Sequence, residues 1–166
     1  MVMTSTLDDE KMGKISKKIF FFLILTGLFF PGLARAGAGE VKWVSYPEGI
    51  SRAAQANRPA LVWFYARSCR VCGVLQKNVL SHPEIIDYLN AKLIPIKVDF
   101  SRERELVEQY RVSGVPIIYF LKPDSAPIDF IAGYVEPEKF LTIIRYIGEK
   151  AYEKTTYEEY LGKKGR

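Results

Sequence analysis

The sequence predicts an α/β protein, with a central mixed β-sheet flanked by helices on both faces. Three observations predict it. Apolar runs of strand type alternate with helical stripes through the first half of the chain, which requires parallel strands joined by crossover helices. The run 60–65 is apolar without interruption, as a strand covered on both faces must be. Later, Lys122-Pro-Asp124 makes a tight turn between two apolar runs and brings in an antiparallel hairpin. Composition agrees with a globular protein of one domain plus a processed segment: 48% of the 166 residues are apolar and 26% are charged.

The processed segment is expected at residues 1–36. Lys14, Lys17 and Lys18 precede the apolar run 19–30, Pro31-Gly32 breaks it, and Ala34-Arg-Ala36 offers a cleavage site. A basic start, a short apolar core and small residues at the cut form a secretory signal peptide. A spanning helix wants about 20 apolar residues, so this core is short; an uncleaved signal acting as a membrane anchor is the alternative. Asp8, Asp9 and Glu10 are out of place before a basic stretch, so translation is expected to begin at Met12. The domain is expected over residues 37–154, followed by a polar C-terminal tail over 155–166. Export, periplasmic or otherwise extracytoplasmic, puts it in an oxidising compartment.

The elements follow in order. Residues 41–46 alternate and suggest a short edge strand. Residues 47–57 read as a helix with Ile50, Ala53 and Ala54 on one side, ended by Arg58-Pro59. After the strand 60–65 and a polar link, a helix is expected from Cys69 to near Leu80, with Val71, Val74, Leu75 and Val79 as its stripe. Ser81 and Glu84 form the pattern of a capping box, with Pro83 tolerated in the first turn. Ile85, Ile86 and Leu89 then face inward. Residues 93–99 are strand-like, and Pro95 argues for an edge or irregular position. A helix is expected from Ser101 through Tyr110, then a loop over 112–116 and a strand over 117–121. A further strand covers 128–131 and ends at Gly133. The last helix starts at Glu136-Pro137, where Phe140, Ile143, Ile144, Ile147 and Ala151 fall on one face.

The chemistry gathers at Trp63-Phe-Tyr-Ala-Arg-Ser-Cys-Arg-Val-Cys72. Cys69 and Cys72 are the only cysteines in the chain, so any cysteine chemistry happens there. Their spacing puts both sulfurs within disulfide reach. A helix start leaves backbone N–H groups unpaired and supplies partial positive charge, which favours a thiolate over a thiol. As a structural staple the pair is poor, because the loop it closes is tiny. A working redox pair is the more sensible use.

These residues resemble the thioredoxin superfamily. The resemblance covers about residues 40–150 and rests on three features in order: the aromatic strand leading to Cys-x-x-Cys, Val98-Asp99 closing the next strand, and Tyr110-x-Val-x-Gly-Val-Pro116 leading into Ile117-Ile-Tyr-Phe120 and Gly133. The Ser-His-Pro-Glu84 insertion is similar to the secreted group that includes the C-terminal domain of the transmembrane thiol:disulfide interchange reductase. The resemblance implies a thioredoxin fold and a thiol:disulfide oxidoreductase with Cys69 attacking and Cys72 resolving the mixed disulfide. It implies a cis proline at Pro116, with the backbone of Val115 pairing with a substrate chain. Two departures stand out. Ser68 replaces the usual aromatic before the first cysteine, and Trp63 stands where many relatives carry a buried acid. Arg67 and Arg70 flank Cys69; positive charge there tunes its pKa downward and pushes the pair toward a better oxidant.

Other classes are weaker. Without residues 1–36 the net charge falls from +5 to +3, too mild and too evenly spread for nucleic acid. A closed zinc site needs four ligands, and beside the two cysteines there is one histidine, His82, so no metal site is expected. The expected partners are protein thiols and disulfides and a membrane electron donor; the protein is expected to be a monomer without a cofactor. The direction of electron flow stays open: a reductase is favoured, with a dithiol oxidase or a non-catalytic binding or metal-carrying module as alternatives.

Overall fold

The computed structural model describes residues 39–164; the leader expected at 1–36 and the start expected at Met12 lie outside them. Helix α1 (Tyr46–Ala56) precedes strand β1 (Ala60–Tyr65), helices α2 (Arg70–Asn78) and α3 (Pro83–Lys92), and strand β2 (Ile94–Asp99). Helix α4 (Arg104–Gln109), strands β3 (Ile117–Leu121) and β4 (Pro127–Ala132), and helices α5 (Pro137–Gly148) and α6 (Tyr157–Lys164) complete the domain. The sheet order is β2-β1-β3-β4, with β1 parallel to β2 and antiparallel to β3, and β3 antiparallel to β4. The mixed sheet expected from the sequence is therefore present, and Pro95 lies on an edge strand.

The unbroken apolar run of β1 has a direct cause. Leu61 and Trp63 enter a core with Leu75, Val79, Ile85, Leu89, Phe140 and Ile144 on one face. Ala60, Val62 and Phe64 enter a second core with Ala53, Ile96, Val98 and Val107 on the other. Both faces are covered, so no position of β1 is left for a polar side chain. Helix α1 lies flush on β2 at Gly49, where a Cβ would come within 2.2 Å of Ile96 Cγ1.

Several elements differ from the sequence reading. Residues 41–46 form only an isolated bridge, Val44 with Ile96. Val44 N donates to Pro95 O and Lys97 N to Val44 O. One pair further back the ladder would need the missing N–H of Pro95, and Lys42 N donates to Asn90 Oδ1 instead. One pair further on, Asp99 N is already given to Glu103 Oε1 and Tyr46 has begun α1.

Ser81 does not cap α3. His82 takes the N-cap position, while Ser81 Oγ donates to Gln76 O at the end of α2 and Glu84 pairs with Arg145 on α5. Helix α4 starts at Arg104 rather than Ser101, because Asp99 Oδ1 holds Ser101 N in a turn first. The stripe of α2 is Cys72, Leu75 and Val79; Val71 and Val74 are exposed. In α5, Phe140, Ile144 and Ile147 are buried and Ile143 half-buried. The stretch expected as a polar tail folds into α6. Thr156 N donates to Glu159 Oε2 and Glu159 N to Thr156 Oγ1, a reciprocal capping box, and Tyr160 is buried with its hydroxyl donating to Glu149 Oε2.

Candidate redox site

The chain leaves β1 at Tyr65, and a turn closed by Cys69 N donating to Ala66 O sets Cys69 at the N-cap of α2. The first helical turn places Cys72 one turn in, with the two Cα atoms 5.2 Å apart and the sulfurs joined as a disulfide. Cys69 is half-buried and Cys72 is 3% exposed. Access thus differs within the pair: a thiol from another protein reaches Cys69 first.

Cys72 N–H points at Cys69 Sγ from 3.1 Å. An amide aimed at sulfur stabilises it most when it carries charge, so this bond and the helix start both favour a Cys69 thiolate once the disulfide opens. On the other side, Val115 O lies 3.5 Å from Cys69 Sγ. The Val115–Pro116 peptide bond is cis. Pro116 is buried, and its carbonyl accepts from Gly133 N at 2.9 Å, which ties the loop before β3 to the end of β4. Gly133 has φ +83°, a conformation that favours glycine.

Arg67 and Arg70 are exposed on either side of Cys69. Trp63, at the position where the resembled family often has an acid, is fully buried. Opposite it in the ladder, Lys97 sets its Nζ 4.7 Å from the Trp63 ring and 4.2 Å from the Tyr65 ring. Burial lowers the pKa of Lys97, and Asp99 works against that shift. Where the resembled family often has a carboxylate, this face thus holds a cation on aromatic rings.

His82 is exposed at the start of α3, and no three His, Cys, Asp or Glu side chains gather among the described residues. A cavity of about 540 Å³ lies between β4 and α5, lined by Phe130, Tyr134, Tyr146 and Tyr157, and touches neither cysteine. Sequence reasoning missed the exposure of Val71 and Val74 beside the pair, and the seat of Lys97. For the valines a signal existed: Cys72, Leu75 and Val79 at i, i+3 and i+7 fill the inward stripe alone. For Lys97 none did, since only strand pairing brings it to Trp63.

Comparisons with known proteins agree with this geometry. A family model described as a thioredoxin-like domain matches residues 46–148. The chain is 33% identical over 72 residues to the chloroplastic thioredoxin-like protein CITRX of Solanum tuberosum, covering 43% of this chain and 39% of that one. It is 28% identical over 107 residues to the thiol:disulfide interchange protein DsbD of Pseudomonas fluorescens, covering 59% of this chain and 18% of that one. The chain therefore spans about two-fifths of the first relative's length and less of the second's. A thioredoxin from Thermus thermophilus superposes with a TM-score of 0.61 at 27% identity, covering 66% of this chain and 88% of that one. A DsbH oxidoreductase, at 18% identity and a TM-score of 0.62 over 77% of this chain and 98% of that one, shares the fold. The model match takes in β1, the cysteine pair, Pro116 and α5, and the chain belongs to the thioredoxin-like domain family.

Proposed function

We propose that this thioredoxin-like oxidoreductase is exported and reduces disulfides in other proteins through Cys69 and Cys72. One observation carries the reading: the more accessible sulfur is the one at the helix start with an amide aimed at it, while its partner waits one turn deeper. The Cys69 thiolate attacks one sulfur of a substrate disulfide, forms a mixed disulfide and expels the other sulfur as a thiolate. Cys72, as thiolate, then attacks Cys69 Sγ, closes the intramolecular disulfide and releases the second substrate thiolate. The substrate gains two electrons and the pair loses two, so turnover needs a dithiol donor, which we place at the membrane. Val115 and Pro116 border the groove where the substrate backbone docks. Export is supported by the basic start, apolar core and Ala34-Arg-Ala36 of the leader. The reductase direction rests on the resemblance of the Ser-His-Pro-Glu84 stretch to the group that includes the C-terminal domain of the transmembrane thiol:disulfide interchange reductase.

A second reading is favoured by Arg67 and Arg70. Cations beside Cys69 stabilise the thiolate, hence the reduced pair, and turn it toward dithiol oxidation. The reduction potential separates the two: a value near about −270 mV marks a reductase and one near about −120 mV an oxidase. Cys72→Ser tests the shared chemistry. It should abolish turnover and trap partners on Cys69 as mixed disulfides; a variant that traps none from an oxidised extract removes the basis for both readings.

A further inference from the structure

Three chain segments frame Cys69, and their charge is one-sided. Residues 66–74 carry the pair, 111–117 lead through Val115 to Pro116, and 132–135 are tied to Pro116 by Gly133. Together they hold Arg67, Arg70 and Arg111 and no Asp or Glu; the nearest acid in sequence, the exposed Glu136, follows the last segment and accepts from the Tyr134 hydroxyl.

The arginines elsewhere are engaged. Arg52 pairs with Glu48, Arg102 with Asp99 and Arg145 with Glu84. Arg58 donates to the carbonyls of Asn90 and Leu93, and Arg104 lies against the Phe100 ring. Among the described residues, Arg67, Arg70 and Arg111 alone of the arginines are exposed with no ion pair, no side-chain hydrogen bond and no ring contact. The same segments expose Val71 (44%), Val74 (41%) and Tyr134 (38%). Exposed apolar side chains on the same segments as unspent like charges describe an interaction surface rather than a solvated face.

We propose that this rim selects partner proteins whose reactive cysteines are flanked by acidic and apolar residues. The inference rests on the oxidoreductase reading and names its substrate class. Carboxylates on the partner would meet guanidinium groups on both sides of Cys69, raising the encounter rate and fixing the approach, while apolar flanks cover Val71 and Val74.

The test uses three disulfide-closed peptides of equal length, flanked by Glu-Leu, Ser-Leu or Lys-Leu, with each rate divided by that for dithiothreitol. The reduced protein should favour the acidic over the basic peptide by on the order of tenfold at low ionic strength. At about 0.5 M salt most of that preference should vanish, since the screening length falls to a few ångströms. R67E/R70E, and separately R111E, should narrow or reverse the order. Any change these variants make in Cys69 reactivity is common to all three peptides and cancels in the ratio. Equal rates for the three peptides, or an order that ignores the charge reversals, overturn the proposal and leave the oxidoreductase reading standing. Reduction of none of them overturns both. Equal rates together with arginine-dependent sedimentation on phosphatidylglycerol vesicles would assign the rim to a lipid surface and overturn it as well.

Discussion

On one face of the sheet Leu61 and Trp63 pack with Cys72, Leu75 and Phe140; on the other Val62 and Phe64 pack with Val98, Val107 and a ring cluster of Tyr46, Tyr110 and Tyr119. Both faces bury large apolar side chains fully. They differ in what happens to their polar atoms. On the tyrosine face, Tyr46 and Tyr110 share a hydroxyl–hydroxyl bond of 2.7 Å and Tyr119 donates to Tyr110 O at 3.0 Å. On the cysteine face, Trp63 Nε1 and the Tyr152 hydroxyl are buried without a partner, and Lys97 is held over aromatic rings. A buried donor left unpaired costs about 1–3 kcal/mol. The cysteine face thus leaves two donors unpaired where the tyrosines of the other face pair their hydroxyls, with Arg58 Nε past the end of α1 a third such atom, and the two faces separate by how they treat their polar groups.

That separation can be broken most directly at Phe140. Phe140→Ala empties a fully buried site in the same core as Cys72 and should lower stability by about 3–5 kcal/mol. It should also move the reduction potential, read by equilibrium with glutathione. A destabilised variant with an unchanged potential would uncouple the cysteine face from its core. Gly49→Ala acts on the other face. Its Cβ would press on Ile96, and overpacking of this kind costs about 1–3 kcal/mol in a urea titration. The potential should stay where it was. Tyr110→Phe is gentler still. It removes the partner of the Tyr46 hydroxyl for about 1 kcal/mol, again without touching the potential. A potential that followed either of these two changes would mean that the sheet transmits packing between its faces.

The smallest effect is a titration. Burial first, then nearby acids and hydrogen bonds, pushes Tyr88 and Tyr160 up to about 12. In the unfolded chain they ionise near the ordinary value of 10.0. The folded state therefore holds these protons where the unfolded state loses them. Their stabilising contribution is complete below pH 10 and is lost as pH rises toward 12. Tyrosinate absorbance should show these two hydroxyls ionising late, and Tyr160→Phe should remove one late step. Ionisation of all tyrosines at the ordinary value would mean that α6 does not stay docked in solution.

The fold was legible where periodicity was strong. The run of β1, the β3–β4 hairpin and the face of α5 could be read from residues alone, because each is a local pattern of apolar spacing. The element ends were harder, since each was set by a competing hydrogen bond. Ser81 answered a carbonyl of the preceding helix instead of capping the next. Asp99 held Ser101 in a turn and delayed α4. Helix α6 was hidden because Tyr157, Tyr160 and Leu161 look like scattered aromatics until Tyr160 is seen buried beside Tyr146.

By itself the sequence determined that two sulfurs three residues apart would sit at a strand-to-helix junction, since a continuous apolar strand, a short polar link and a helical stripe leave no other place for them. Only the tertiary structure decided what surrounds them. Strand pairing brought Lys97 to Trp63 across 34 positions of chain. The loop before β3 brought the Val115 carbonyl to Cys69 across 46. Contacts at such separations depend on which strands become neighbours, and local spacing carries no information about that choice.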